Sequence, residues 1–424
     1  MTLSSSVRDQ LASRSLQARY NLFVGLGTAL AIVGGVLFVV FARGDQADRA
    51  WQLFHVNWIY YNGLTAGSFA FVAVQKVTGA RWSGVIIRFA EAAPFFFFPV
   101  SLVGFLLIFT IGYPHIFPPM EGLSPGKTLW LSHGFMFARL AVGLGVLYWL
   151  GFELIKADLV PDLHEVKGMV AGRRRSLYER WTRAFDGSPG IRTAHDARIA
   201  RLAPTYIVVY AIVATMVAFD TIMALQPHWF SNLFGGWYFM GSFLGALTLL
   251  ALMMLYGRTE VGLTEYISGK QRHDLGKLCF GFSVFWAYLM WSQFLVIWYG
   301  NLPEETGFVF ARLWGEWRPI GTLVFLGLFV IPFIGLLGVA PKKTPVTLGF
   351  FTAISLLALW LERYLLVMPS VTRAPGPVFG LAELGPTLAF LGLFLLCYGW
   401  FARVFPMVSP RLAMITLEKE AAHH

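Results

Sequence analysis

The apolar positions of this chain run on for twenty residues or more before a polar break, without the alternation of a strand or the one-sided stripe of a surface helix. About ten such runs are present, near 20 to 42, 53 to 76, 87 to 111, 128 to 155, 203 to 225, 233 to 256, 276 to 299, 319 to 340, 345 to 368 and 382 to 405. A bilayer core of roughly 30 Å needs about 20 predominantly apolar residues per helix, so each run is long enough to span. Spans of a β-barrel would be short and alternating. The pattern predicts an all-α polytopic membrane protein of about ten transmembrane helices. It divides the chain into a segment 1–19, spans 1 to 4 over 20–155, a basic linker over 156–202, spans 5 to 10 over 203–405 and a tail over 406–424.

Composition agrees: 57% of residues are hydrophobic, 16% aromatic and only 13% charged, with a mean hydropathy of +0.62. A water-soluble core has no room for that much apolar surface. Charge then orients the chain, because Lys and Arg near span ends stay on the cytoplasmic side. Arg8, Arg14 and Arg19 precede the first span, and the loops on that side carry Lys76, Arg81 and Arg88, the Arg-rich linker, Arg258, Lys270, Arg272, Lys277, Lys342, Lys343, Arg403, Arg411 and Lys419. The opposite loops are poorer in base, with Arg43 and Arg49 balanced by Asp45 and Asp48. Both termini are predicted to be cytoplasmic, and an even number of spans agrees. The net charge of +10 is mostly this topology signal. No basic segment is interleaved with stacking aromatics, so no nucleic-acid partner is expected.

The first run, about 22 residues, exceeds the usual 7 to 15 of a cleavable signal, and GDQADRA is a poor cleavage site, so it reads as a retained anchor. The linker, with RRR at 173 to 175, is either a solvated positive-inside segment or a docking surface for anionic lipid or a cytoplasmic subunit. Cys279 and Cys397 are the only cysteines, far apart and both in spans. No cysteine cluster for iron–sulfur or zinc and no C-x-x-C-H haem attachment is present. A P-loop is also missing. No catalytic residue, metal site or covalently bound redox cofactor is expected on this chain.

That leaves the ionisable residues inside spans, each costing a few kcal/mol and each a functional candidate. Glu91 and Glu153 fall toward the cytoplasmic side, Arg139 near mid-membrane, and His55, His133 and Asp220 in the outer half. Arg139 and Glu153, fourteen residues apart, share a helix face about 21 Å apart. Together these six form a broken ladder of proton-capable groups. Plainer roles stand beside it. Glu91 beside Arg88 suits an acid at a helix N-terminus, Glu153 suits a partner of the linker arginines, and Asp220 suits an interfacial pair with His228. His55 and His133 also suit a haem b pair. Arg139, too deep to snorkel, needs an internal partner. FFFFP at 95 to 99 is either packing surface or the wall of a quinone slot.

The segments IIRFAEAAPFFFFP (86 to 99), TYIVVYAIVATMVAFDTIMALQPHWFSNLFGGWYFMGSF (205 to 243) and WSQFLVIWYGNLPEET from Trp291 resemble the large membrane subunits of alternative complex III, within the NrfD and polysulfide-reductase membrane-subunit family. The similarity covers nearly the whole chain, and AFDTIMALQPHWFSNLFGGWYF is closer to the shorter, F-type paralogue. The resemblance implies two four-helix bundles, spans 2 to 5 and 6 to 9, with spans 1 and 10 peripheral. It implies a subunit of a quinol:electron-acceptor oxidoreductase in a bacterial cytoplasmic membrane. Its partners would be a multihaem cytochrome c subunit, a periplasmic iron–sulfur subunit, a paralogous quinol-binding subunit and smaller membrane subunits, with haem and iron–sulfur clusters in those partners and menaquinone, another quinol or lipid as candidate ligands here. It implies proton translocation or scaffolding more than quinol oxidation. Glu91 matches the family's span-3 glutamate.

On that basis Gln293, Trp298, Tyr299, Glu304 and Glu305 form an outer rim for docking, with Trp and Tyr at headgroup level and an acidic loop offering charge to a protein lid. An ordinary interfacial belt with a solvated loop is the plainer reading. The ionisable ladder also admits a proton-coupled secondary transporter, although Pro94, Pro99 and Pro204 lack counterparts in later spans. A purely structural membrane anchor is the third alternative.

Overall fold

The structure, a computed structural model, describes residues 5–119 and 122–421. Its elements are helices, and no strand occurs among the described residues. In chain order the helices of ten residues or more are α1 (Ser5–Ser15), α2 (Asn21–Ala42), α3 (Ala47–Val77), α4 (Ile87–Ile116), α5 (His133–Met169), α6 (Gly172–Trp181), α7 (Pro189–Leu225), α8 (Phe234–Glu260), α9 (Gly269–Gly300), α10 (Pro303–Leu313), α11 (Gly315–Gly335), α12 (Pro345–Val371), α13 (Leu381–Val404) and α14 (Pro410–Ala421). Among the described residues nine are long and apolar enough to cross a membrane: α2, α4, α5, α7, α8, α9, α11, α12 and α13. Their outward faces carry bare apolar side chains such as Leu22, Val36, Val142, Val208, Val296, Ile334 and Leu357. A water-soluble surface does not expose apolar residues on that scale. The fold is that of an all-α, multi-pass membrane protein.

The remaining expected span, 53 to 76, is α3, and it is absent from the apolar set for a physical reason. It is buried continuously from Ala50 to Ala73, packed against α7, α8, α12 and α13. A helix surrounded by protein can carry polar groups if they find partners, and α3 buries Gln52, His55, Asn57, Asn62, Thr65 and Ser68. At 31 residues it is about 46 Å long, more than a bilayer core.

α2 and α13 pair through small residues. A Cβ added to Gly34 would lie 2.2 Å from the Ala389 backbone nitrogen, and one on Gly392 would lie 2.3 Å from that of Ala31. Only glycine permits that approach, the usual device for helices that lack a hydrophobic drive to associate in lipid. α1 packs against α14, and the Met407 amide donates to the Ser15 carbonyl at 3.0 Å. Both ends of the described chain therefore lie on one side, called here the near side; the opposite side is the far side.

Two segments depart from expectation. The linker over 156–202 begins as the continuation of α5, ends as the first turns of α7 and holds α6, so little of it is free loop. The acidic loop after Trp298 and Tyr299 is largely the helix α10, with Glu304 and Glu305 in its first turn, where carboxylates complement the helix dipole.

Candidate functional site

On the near side, α3, α4, α5 and α14 bring six charged side chains together. Arg88, fully buried, donates through Nη1 to Glu91 Oε2 and through Nη2 to Asp162 Oδ2. The same guanidinium reaches the Asp158 backbone carbonyl at 3.0 Å and Asp158 Oδ2 at 3.4 Å. Lys76 Nζ donates to Asp158 Oδ1 at 2.5 Å, and Arg411 Nη2 reaches that oxygen at 3.4 Å. The carboxylates of Glu91, Asp158 and Asp162 thus face the cations of Arg88, Lys76 and Arg411, equal in number. Buried ions persist only when paired in this way. Glu91 Oε1 and Asp162 Oδ1 have no hydrogen-bond partner. Asp158, Lys76 and Arg411 line a cleft of about 380 Å³ whose other walls include the exposed Arg81 and Asp196. The cleft gives the cluster a polar route to the near-side surface.

On the far side, Arg139 of α5 makes a two-pronged contact with Asp220 of α7, Nε to Oδ2 at 2.7 Å and Nη2 to Oδ1 at 2.6 Å. Arg139 Nη1 also donates to the Trp130 carbonyl at 2.6 Å, and its guanidinium lies 4.1 Å from the Trp130 ring centroid. Bidentate geometry makes this a strong pair. Arg139 stands six residues into α5, about 9 Å from its far-side end, so it belongs to the far-side half and not to the middle of the span. The partner that its depth demanded is Asp220. Beside it, His55 Nε2 lies 2.7 Å from the carbonyl of Thr221, the residue after Asp220.

The middle is held by groups without charge. Asn62 Oδ1 accepts from Tyr148 OH at 2.8 Å and Ser101 Oγ at 3.1 Å. His55, Asn62, Phe69 and Lys76 recur every seven residues on α3, which places them on one face about 10 Å apart. Phe69 interrupts this polar line, its ring packed against Tyr148, Phe152 and Tyr206 at 5.8, 5.3 and 5.5 Å.

The six ladder residues therefore fall into separate places. Glu91 belongs to the near-side cluster, and Arg139, Asp220 and His55 gather on the far side. His133 is exposed, its Nε2 2.7 Å from the Phe109 carbonyl. Glu153 is half-buried and forms an ion pair with Arg198. His55 and His133 each engage a backbone carbonyl. Sequence reading passed over Asp158 and Asp162 because the fourth span was ended at 155; their four-residue spacing on a continuing helix was the available signal. Asn62, Ser101 and Tyr148 carry no charge and gave no signal at all.

The rim residues divide as well. Trp298 and Tyr299 are bare, at 62% and 87% exposure, and Glu304 is exposed. Gln293 turns inward, accepting from Ser231 Oγ at 3.0 Å, and the Glu305 carbonyl accepts from Trp229 Nε1 at 3.1 Å. Among the described residues no group of His, Cys, Asp and Glu is placed to hold a metal ion. Compared with known proteins, the chain matches no family model and no curated protein.

Proposed function

We propose that the chain is an integral membrane subunit of a respiratory quinol:cytochrome c, or other quinol:electron-acceptor, oxidoreductase, and that its first four spans with α7 carry protons between the two sides of a bacterial cytoplasmic membrane. The observation that carries the reading is the α3 face: a buried acidic cluster open to a near-side cleft at one end, the His55 and Arg139–Asp220 group at the other, and the Asn62 layer between. Glu91, with a carboxylate oxygen left unpaired, is the acceptor for protons arriving from the near-side cleft. Arg139 pairs with Asp220 and fixes its carboxylate at the far-side end of the route. Phe69 separates the inner and outer polar groups, so transfer requires its ring to move or water to pass it.

Trp298, Tyr299 and Glu304, bare on the far side beside α10, are the surface that extracytoplasmic haem and iron–sulfur subunits would cover. Native purification tests the assembly: the chain should bring with it a multihaem cytochrome c and an iron–sulfur protein. The proton route is tested in the reconstituted complex with Glu91→Gln and Asp220→Asn. Protons moved per electron should fall while electron transfer survives. An unchanged ratio in a fully assembled complex would reject the route, and loss of assembly alone would favour the anchor role. A lone, colourless protein that moves a solute in liposomes would favour the transporter.

A further inference from the structure

On the near side a second cleft, of about 310 Å³, adjoins the cleft of the acidic cluster and shares Asp196 and Arg411 with it. α1 gives it Arg8, α5 gives His164, α7 gives Arg192 and His195, and α14 gives Arg411. Three arginines and two histidines thus converge on one small space. Its volume is at the lower end of the usual range for ligand sites. The cleft lies in the aqueous phase, below the level of the headgroups. α5 shows bare apolar side chains at Val142, Val146 and Trp149, and His164 stands fifteen residues beyond Trp149, about 22 Å further along the axis.

The cations are unevenly spent. Arg8 turns Nε and Nη2 onto Glu165 at 2.7 and 2.9 Å, and that pair is closed. Arg192 forms no ion pair among the described residues; its Nε donates to the Gly187 carbonyl at 2.7 Å, and its terminal nitrogens face the cleft without a protein acceptor. Lys167 forms no ion pair there either, its Nζ donating to His164 Nδ1 at 3.1 Å. With Nδ1 accepting, the ring proton of His164 sits on Nε2. Arg411 Nη2 makes only its long contact of 3.4 Å to Asp158, and Arg411 Nε is buried with no partner. Gly187 stands at φ +80°, and a Cβ added to it would lie 3.6 Å from Arg192 Nη2 and 3.8 Å from His164 Nε2. The absent side chain leaves a gap bordered by two donor nitrogens.

We infer that this cleft binds a soluble phosphate-type dianion, inorganic phosphate or a phosphate monoester, from the near-side aqueous phase. Its oxygens accept from the terminal nitrogens of Arg192 and from the Arg411 guanidinium, with His164 Nε2 and the Lys167 ammonium beside them. Guanidinium groups suit a phosphoryl group because their paired N–H bonds match its oxygens. The two carboxylates do not close the site: Glu165 is held by Arg8, and Asp196 is exposed on the wall shared with the other cleft. A lipid phosphate carries the same chemistry, but the depth of the cleft puts it out of reach. A bound anion holds Arg411 between itself and Asp158, which ties occupancy of the cleft to the buried acidic cluster. The inference goes beyond the proposed proton route and stands or falls separately from it, since binding is read directly.

The test uses the purified full chain in phosphatidylcholine nanodiscs, titrated calorimetrically with inorganic phosphate at constant ionic strength. Saturable binding at one site is expected. Arg192→Gln, at an exposed position, should weaken it by about tenfold and leave the thermal midpoint in phosphate-free buffer unchanged. Arg173→Gln removes another exposed arginine, on α6 and outside the cleft, and should change nothing. Heat that never saturates, or equal weakening by both variants, would overturn the site and leave only a generally basic surface. Binding should persist in phosphatidylglycerol nanodiscs; its complete loss there would make the cleft a lipid-headgroup site and overturn the soluble anion. If Arg192→Gln lowers the thermal midpoint, Lys167→Gln decides, with a several-fold weakening expected and unchanged affinity counting against the site.

Discussion

The Arg88 cluster and the Arg312–Glu362 cavity both bury charge in a membrane protein, yet they are built in opposite ways. Around Arg88, carboxylates and cations match in number and the guanidinium reaches three acids and a backbone carbonyl. Around Arg312 no carboxylate pairs with the guanidinium, whose bonds go to two carbonyls and a serine hydroxyl. The first arrangement is closed within the protein apart from its solvent cleft, and it suits groups that exchange protons while staying paired. The second adjoins a cavity of about 400 Å³. Burial of charge alone does not separate these roles, and neither do unsatisfied atoms, which both places have; the pairing of cation with carboxylate and the shape of the adjoining space do.

The sharpest way to break the contrast is Arg88→Ala. It leaves Glu91, Asp158 and Asp162 buried against fewer cations, and removal of one partner from a buried ionic group costs about 3–5 kcal/mol. Thermal unfolding in detergent should show that loss, or the variant should not accumulate. A cost below about 1 kcal/mol would mean that the cluster is wet and loosely held. Arg312→Met should behave differently, with a change of no more than about 1 kcal/mol in either direction, because an apolar side chain of similar length replaces a charge that has no carboxylate partner. A loss as large as that at Arg88 would erase the distinction.

Smaller effects set the baseline. Glu153→Gln breaks only the ion pair with Arg198, whose side chain is half exposed, so stability should fall by less than about 1 kcal/mol. Asp186, in the solvated stretch before α7, accepts the Ser188 amide at 2.8 Å, and that bond holds its carboxyl below the ordinary aspartate value. The folded form therefore binds its proton less readily than the unfolded one. Its contribution is present above the ordinary aspartate range and is lost as pH falls through the lower folded value. Asp186→Asn should flatten that acid-side slope slightly, as read from unfolding midpoints across pH, and leave the midpoint at neutral pH nearly unchanged.

Long apolar runs made the membrane-crossing helices legible from the chain alone, because lipid forces every backbone group of a span into its own helix. The same rule hid α3's character. Its neighbours, not lipid, surround it, so its polar residues diluted the run that marked it. Among candidate residues, Glu91, Arg139 and Asp220 were legible because charge in an apolar run stands out. Their partners were not. Arg139 and Asp220 are 81 positions apart and meet only when α5 packs on α7. Arg88 meets Asp162 across 74 positions, where the fourth span was expected to have ended. Nothing along the chain said that Glu362 and Arg312 would both be buried around a common cavity. The sequence by itself determined which segments enter the membrane, since that depends on local transfer free energy summed along a helix. Only the tertiary structure decided which charges are neutralised and which are left open, because pairing depends on helix rotation and packing order, and hydrophobicity along the chain encodes neither.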